Sequence, residues 1–550
     1  MSVFGRHCET EGRDNPGSPR PWIATACRPL NDAMVWAGVL VAVLLMQACS
    51  KAPEPPAAHV APTSIAWVKP VGADIEPILA QAKASNKPVY LYWGAVWCPP
   101  CNQIKATVFN RLDFIERSQL FVPVYLDGDT PGAQKLAARF KVRGYPTMIL
   151  FRPDGTELTR LPGEVDAAKY MELLNMGLAA SSSVKESLAL ALGKGSASLT
   201  HDAWRQLAYY AWEYDEAQLI PQTERAAALH KLALACPATQ PEAANRLALK
   251  AVVLAALDKK PLIDAPAARQ RVAQILADAK LARENFDVLA NYSTDMLSVL
   301  SPAGSAERRA LHGAWNVALD RLTADASLST LDRLSAVSAK ISLAKMEPAK
   351  GAIPALDAAL VTQVRAAAAS ADQSTTNTYE RQAVIPGAAD LLSEVGLLDE
   401  SDALLKAELP KAVSPYYHML VLATNARKRG DKVAALDWAE RAWNTSVGPA
   451  TRLQWGSGYV NRLIELSPQD SARIEKAASA VLAELEVVPE TFYERNRRGL
   501  EKMGQRLLAW NKNNQQAAVI KKLSLQLNAA CAKLPSQDEA QAACLGVFKS

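Results

Sequence analysis

The chain has 550 residues, with 61 Lys and Arg against 56 Asp and Glu, and this formal charge of +5 is too thin to point to nucleic acid. At about 150 residues per domain the length accommodates roughly three or four units. With 49% hydrophobic and 21% charged residues, the bulk is neither a disordered polyelectrolyte nor a multi-spanning membrane protein. Aromatics at 6%, beside many Ala and Leu, favour helix packed on helix over an all-β core.

Residues 1–48 read as a leader. A Pro-, Gly- and Arg-containing arm without period precedes the apolar run Ala33 to Met46, which is shorter than the about 20 residues a bilayer span needs. It fits the apolar region of a secretory signal, with Arg20 and Arg28 in the basic arm. A start at Met34 would discard that arm. The end of the run, Ala48-Cys49-Ser50, resembles a bacterial lipoprotein signal, in which a small residue precedes a cysteine that becomes lipidated and N-terminal. Met46 and Gln47 depart from that family's usual leucine and small residue, and the competing reading is an uncleaved anchor helix with Cys49 as an ordinary thiol. The resemblance implies a periplasmic protein lipid-anchored through Cys49, and Ser50 tilts the expectation to the outer membrane. Residues 49–69 read as a semi-rigid tether, whose Pro- and Ala-rich segment Lys51 to Thr63 spans roughly 40 Å when extended.

A compact α/β unit is expected over 70–178. Ile75, Ile78, Leu79 and Ala82 recur at helical spacing, and the continuous apolar run Val89 to Trp93 predicts a buried strand. Trp97-Cys98-Pro99-Pro100-Cys101 follows, and Asn102 to Phe109 reads as helix. Strands are predicted at Phe121 to Leu126, Thr147 to Phe151 and Glu157 to Leu161, the last two joined by a hairpin at Asp154-Gly155. Helices are predicted at Gly132 to Phe140 and Asp166 to Leu178. Strands alternating with helices and closing in a hairpin make a layered sandwich.

A cysteine at the first turn of a helix has its sulfur near unpaired N–H groups, which favours thiolate over thiol and makes Cys98 the nucleophile. Pro99 and Pro100 suit the first helical positions, where no helix bond is lost. Cys101, one turn on, is placed to resolve a mixed disulfide. A lone CxxC is also half a zinc site, but no second CxxC exists and no His lies nearby in sequence. Neither a metal nor a cofactor is therefore expected.

The stretch resembles the thioredoxin superfamily, and within it the C-terminal periplasmic domain of the DsbD electron transporters. The resemblance rests on Trp97 to Cys101 after a strand, on Tyr145-Pro146-Thr147 before the next, and on Lys87-Pro88-Val89, Phe140 to Gly144, Asp154-Gly155 and Gly163. It implies a cis-proline at Pro146 and a substrate groove formed by Trp97, Tyr145, Pro146 and Gly163. An extended segment would add there as a strand. The implied partners are exported proteins with cysteine pairs and a membrane thiol electron donor. Family reductases commonly bury an acid six positions before the first cysteine; here that residue is Tyr92, read as core filler or as a functional phenol.

Residues 179–195 read as a Ser-, Ala- and Gly-rich linker, and 196–550 as an all-α helical-repeat region. Gly396 and Gly430 stand 34 residues apart, each in a stretch resembling the mid-repeat turn of tetratricopeptide repeats, with Ser401 and Ala435 five positions on. Trp204, Tyr209, Tyr210, Trp212 and Tyr214 read as core packing before a ligand platform. Arg495, Arg497 and Arg498 read as a solvated helix face before a dock for an acidic partner. His201, His230, His312 and His418 show no metal-ligand spacing. Cys531 and Cys544 read as a possible staple between terminal helices or as two unrelated buried thiols, and Cys236 as an odd buried thiol. The expectation is a membrane-tethered thiol-disulfide oxidoreductase whose helical region recruits a protein partner or substrate. The alternative is a scaffold or peptide-binding lipoprotein with little turnover.

Overall fold

The computed structural model describes residues 63–549 apart from 143, 194, 214–218, 347–355 and 537. Cys49, expected as the lipidated residue, the expected leader and most of the expected tether lie outside the described residues.

Four strands form a mixed sheet: β1 (Val89–Gly94), β2 (Val122–Asp127), β3 (Thr147–Phe151) and β4 (Glu157–Leu161), in the order β2-β1-β3-β4. β1 runs parallel to β2 and antiparallel to β3, and β3 pairs antiparallel with β4. The helices of this unit are α1 (Glu76–Ser85), α2 (Pro99–Ile104), α3 (Leu112–Arg117), α4 (Pro131–Arg139) and α5 (Ala167–Leu178). Period-2 alternation explains the two apolar faces. Val89, Leu91, Trp93, Val124 and Ile149 meet α1 and α4, while Tyr90, Tyr92, Met148 and Leu150 turn to the opposite face and meet α5. The result is a thioredoxin-like three-layer sandwich whose strands fall within a residue or two of those predicted. Only α3 was not anticipated, because its single turn is too short to show a period. The end of the expected tether is not free either, since Val68 bridges to Val124 and the Trp67 ring packs on Tyr92.

The segment expected as a linker is largely helical. Helix α6 (Val184–Leu192) starts at a capping box in which Ser183 and Glu186 exchange hydrogen bonds, and it buries Val184, Leu188 and Ala191. These side chains extend the α5 face of the sheet into the first helices of the following region. Trp204, Leu207, Leu229, Leu247 and Leu254 belong to the same cluster as Tyr90 and Leu150. A Ser/Ala/Gly composition misled here because small residues also allow a short helix to approach closely.

The rest of the chain is mostly helical. Trp204, Tyr209, Tyr210 and Trp212 are buried; Tyr214 lies outside the described residues. Gly396 and Gly430 both take positive φ, at 87° and 80°, immediately after Thr378–Glu394 and Pro415–Lys428, where they end each helix and turn the chain. Ser401 and Ala435 are buried at the close approach that follows each turn. Cys531 and Cys544 form a disulfide joining Ala517–Cys531 to Glu539–Gly546, and Cys236 is a free buried thiol. No helix among the described residues is long and apolar enough to cross a membrane.

Candidate redox-active site

β1 ends at Gly94, and the loop Ala95 to Trp97 delivers Cys98 to the N-cap of α2. Pro99 and Pro100 occupy the first helical positions, and the helix continues as a π turn over Lys105–Phe109. The Cys98 sulfur accepts a hydrogen bond from the Cys101 N–H at 3.3 Å, so one of the orphan donors of the helix start points at the reactive atom. Cys98 and Cys101 are joined as a disulfide with their Cα atoms 5.2 Å apart. Asn102, not singled out by its sequence context, is fully buried and ties the loop down: its Nδ2 donates to Val96 O at 2.7 Å and to Cys98 O at 3.1 Å. An amide directly after the second cysteine was the available signal.

Tyr145-Pro146, the one cis peptide among the described residues, brings Tyr145 O to 3.7 Å from Cys98 Sγ. Gly163 faces the proline closely, since a Cβ there would stand 3.3 Å from Pro146 Cγ. The Tyr145 ring lies over Gly128, where a Cβ would come within 2.3 Å of it, and its hydroxyl accepts from Gln134 Nε2 at 2.8 Å. Of the four groove residues expected from the sequence, Trp97 and Tyr145 pack on the cysteine pair, Pro146 follows Tyr145 through the cis bond, and Gly163 faces Pro146. Tyr92 sits elsewhere, in an aromatic cluster stacked on Tyr125 at 5.4 Å and edge-on to Phe109 at 4.8 Å. Burial pushes its phenol well above the ordinary tyrosine range, so it holds its proton and cannot serve as a base at neutral pH.

The helical region covers this end of the sandwich. Trp97 Nε1 donates to Asp129 Oδ2 at 3.2 Å, and the other oxygen of Asp129 accepts from the Thr451 hydroxyl. Trp455 meets the Trp97 ring edge-on at 6.2 Å. Gln103 donates to Ser329 at 2.7 Å, Lys135 pairs with Glu490 at 3.3 Å, and the helix Thr378–Glu394 packs against α2. Arg283 reaches Asp166 at 3.0 Å beside the Gly163 loop. Cys98 is consequently only 2% exposed and Cys101 0%.

Arg495 departs most from its sequence reading. Its guanidinium lies 4.4 Å over the Trp97 ring and 5.6 Å from that of Tyr145, and so belongs to the covered site and not to a solvated face. Arg497 and Arg498 do lie on a more open face, each paired with a glutamate of its own helix. Among the groups around Trp97, Asp129 is pushed up to about 6, chiefly because it is buried. The chemistry open to this arrangement is nucleophilic exchange at sulfur.

Residues 75–177 match the family described as a thioredoxin-like domain. The chain is similar to the thiol:disulfide interchange protein DsbD of Pseudomonas fluorescens, 33% identical over 104 residues that are 18% of this chain and 18% of that protein. It is 34% identical over 103 residues to DsbD 2 of Pseudomonas aeruginosa, again 18% of each chain. A bifunctional thioredoxin reductase/thioredoxin of Mycobacterium leprae is 36% identical over 117 residues, 20% of this chain and 24% of that protein. The chain thus spans about a fifth of the length of these relatives.

Proposed function

We propose, from the premise that residues 75–177 are a thioredoxin-like domain, that the chain is a thiol-disulfide oxidoreductase with Cys98 as nucleophile and Cys101 as resolving thiol. The observation that carries this reading is the cysteine pair itself, capping a helix beside the Tyr145-Pro146 turn. In the reducing direction the Cys98 thiolate attacks one sulfur of a substrate disulfide. One substrate thiolate leaves and takes a proton from solvent. The Cys101 thiolate then attacks Cys98 Sγ, which releases the second substrate sulfur and leaves the Cys98–Cys101 disulfide, two electrons having passed to the substrate. A dithiol donor at the membrane resets the pair by the same steps in reverse order of roles. Trp97, Tyr145, Pro146 and Gly163 bind the substrate segment next to the disulfide under attack.

Exported proteins with cysteine pairs are the substrates in this reading, and the protein works in the periplasm, held to the membrane by lipid on Cys49. The helical region, built of hairpins of tetratricopeptide type around Gly396 and Gly430, selects what reaches Cys98. Because the sulfur is covered, a protein substrate gains access only when these helices part from Trp97. A second reading takes its support from the same burial: at 2% exposure Cys98 turns over little, and the protein serves as a scaffold.

Insulin reduction by dithiothreitol and a Cys101→Ser trap in cells separate the two. Catalysis together with captured exported proteins supports the oxidoreductase, whereas an inert domain and an empty trap support the scaffold. Cys49→Ser tests the anchor, with loss of lipid labelling and of membrane fractionation expected.

A further inference from the structure

Arg495 comes from the helical region, far from the cysteines in sequence, and its position is built with some strain. It stands in the first turn of the helix Glu494–Trp510, directly after Glu494, whose φ of 37° lies in the left-handed region that non-glycine residues rarely enter. The Glu494 carboxylate turns away to Arg498 at 2.7 Å, while the Arg495 guanidinium turns inward onto the face of Trp97. Its Nη1 is buried without a hydrogen-bond partner. Trp97 and Tyr145, the two rings it touches, are the two that pack on Cys98 and Cys101. A buried guanidinium with an unused donor, one layer of rings away from the cysteine pair, is poorly matched by a neutral disulfide and better matched by a thiolate.

We propose that Arg495 is a positioning residue for the redox couple, a cation that the helical region holds over Trp97 to stabilise the Cys98 thiolate of the reduced protein. The proposal rests on the oxidoreductase reading only for its biological use, because the charge effect itself needs no turnover. The groups that face Arg495 are Asp129, Tyr145 and Arg498. Of these, Asp129 opposes its action, as a carboxylate that accepts the Trp97 indole N–H. A single charge acting over this range in a partly buried site changes the thiolate fraction by about tenfold, or one pH unit. Since only the reduced state carries the thiolate, Arg495 also makes the disulfide easier to reduce.

The test is the pH profile of Cys98 alkylation by iodoacetamide in the full-length reduced protein, resolved by mass spectrometry of the peptide carrying Cys98. Cys236 does not interfere, as its thiol is pushed up to about 11. The profile of Arg495→Gln is expected to move up by about one pH unit, that of Arg495→Lys to stay within a few tenths of the parent, and that of Asp129→Asn to move down. The equilibrium with glutathione should shift about tenfold toward the disulfide in Arg495→Gln, ~30 mV by the two-electron relation. A merely structural arginine would not give a raised profile in Gln together with an unmoved one in Lys. The proposal is overturned by an unmoved profile in folded Arg495→Gln or by Lys behaving as Gln. Should Arg495→Gln fail to fold, Arg495→Met, which keeps an apolar stem over Trp97 without the charge, takes its place, and an unmoved profile there overturns it equally. If Cys98 titrates as expected while insulin reduction and the trap are both blank, the oxidoreductase reading fails and the electrostatic assignment stands.

Discussion

Thr451 donates its hydroxyl to Asp129 across 322 residues of sequence, and with the Ala450 N–H, which donates to Asp129 O at 3.4 Å, it ties the helical region to the loop that follows β2. The same carboxyl receives the Trp97 indole N–H, so the residue preceding the nucleophile is linked to the covering helices through one acid. Because burial raises the Asp129 carboxyl to about 6 against an ordinary 3.8, the folded arrangement binds a proton that the unfolded chain releases earlier. Stability from this group is therefore fully present below about pH 4 and falls as pH rises toward 6, by at most about 3 kcal/mol. Asp129→Asn should flatten that part of the profile and exceed the parent in urea midpoint at pH 7, with the two equal near pH 4. Equal midpoints at both pH values would dissociate Asp129 from the cover.

Trp455 touches Trp97 without touching the chemistry. Truncating it to Ala opens space over the indole, and alkylation of reduced Cys98 at fixed pH should quicken severalfold, with the midpoint of the pH profile unchanged. A rate equal to that of the parent would mean that access to the sulfur is not controlled at this contact.

Tyr92 is a packing residue on this structure. Its hydroxyl is buried with no partner, and the ring is held among Trp67, Phe109 and Tyr125. Tyr92→Phe should leave both stability and the rate of mixed-disulfide resolution within error of the parent. Tyr92→Asp, which places a carboxyl in the same aromatic pocket, should cost about 3–5 kcal/mol by denaturation, a loss that outweighs any gain from a nearby base. Slowed resolution in Tyr92→Phe would restore a role for the phenol.

The Cys531–Cys544 disulfide closes a loop of sequence separation 13 at the end of the chain. The helix that carries Arg495 packs against this end, with Gly504 so close to Val547 O that a Cβ would clash at 2.0 Å. Replacing both cysteines by Ala should lower stability by about 3 kcal/mol, read from urea denaturation, and leave the midpoint of Cys98 alkylation in place. A moved midpoint would show that the staple also sets the position of Arg495.

What was legible in the sequence is what short-range physics decides. The continuous apolar run Val89 to Trp93, the helix start after Cys98 and the Tyr145-Pro146 turn each depend on neighbours within a few residues, so run length, β-propensity and turn chemistry sufficed to place the strands and the cysteine pair. Cys531 and Cys544 could be suspected as a pair because they too are near neighbours, although only their proximity in space resolves a staple from two buried thiols. The short helix α6 was hidden by composition, since Ser, Ala and Gly serve a linker and a closely packed helix alike. Arg495 on Trp97, Thr451 on Asp129 and Trp455 beside the indole left no local trace at all. An arginine three residues from another arginine reads as a solvated face until the tertiary structure puts an aromatic ring beneath it. Whether the thiolate at a cysteine pair is open, covered or charge-compensated is decided by which distant helix lands on it. That depends on the summed packing of the whole helical region, which no window of sequence contains.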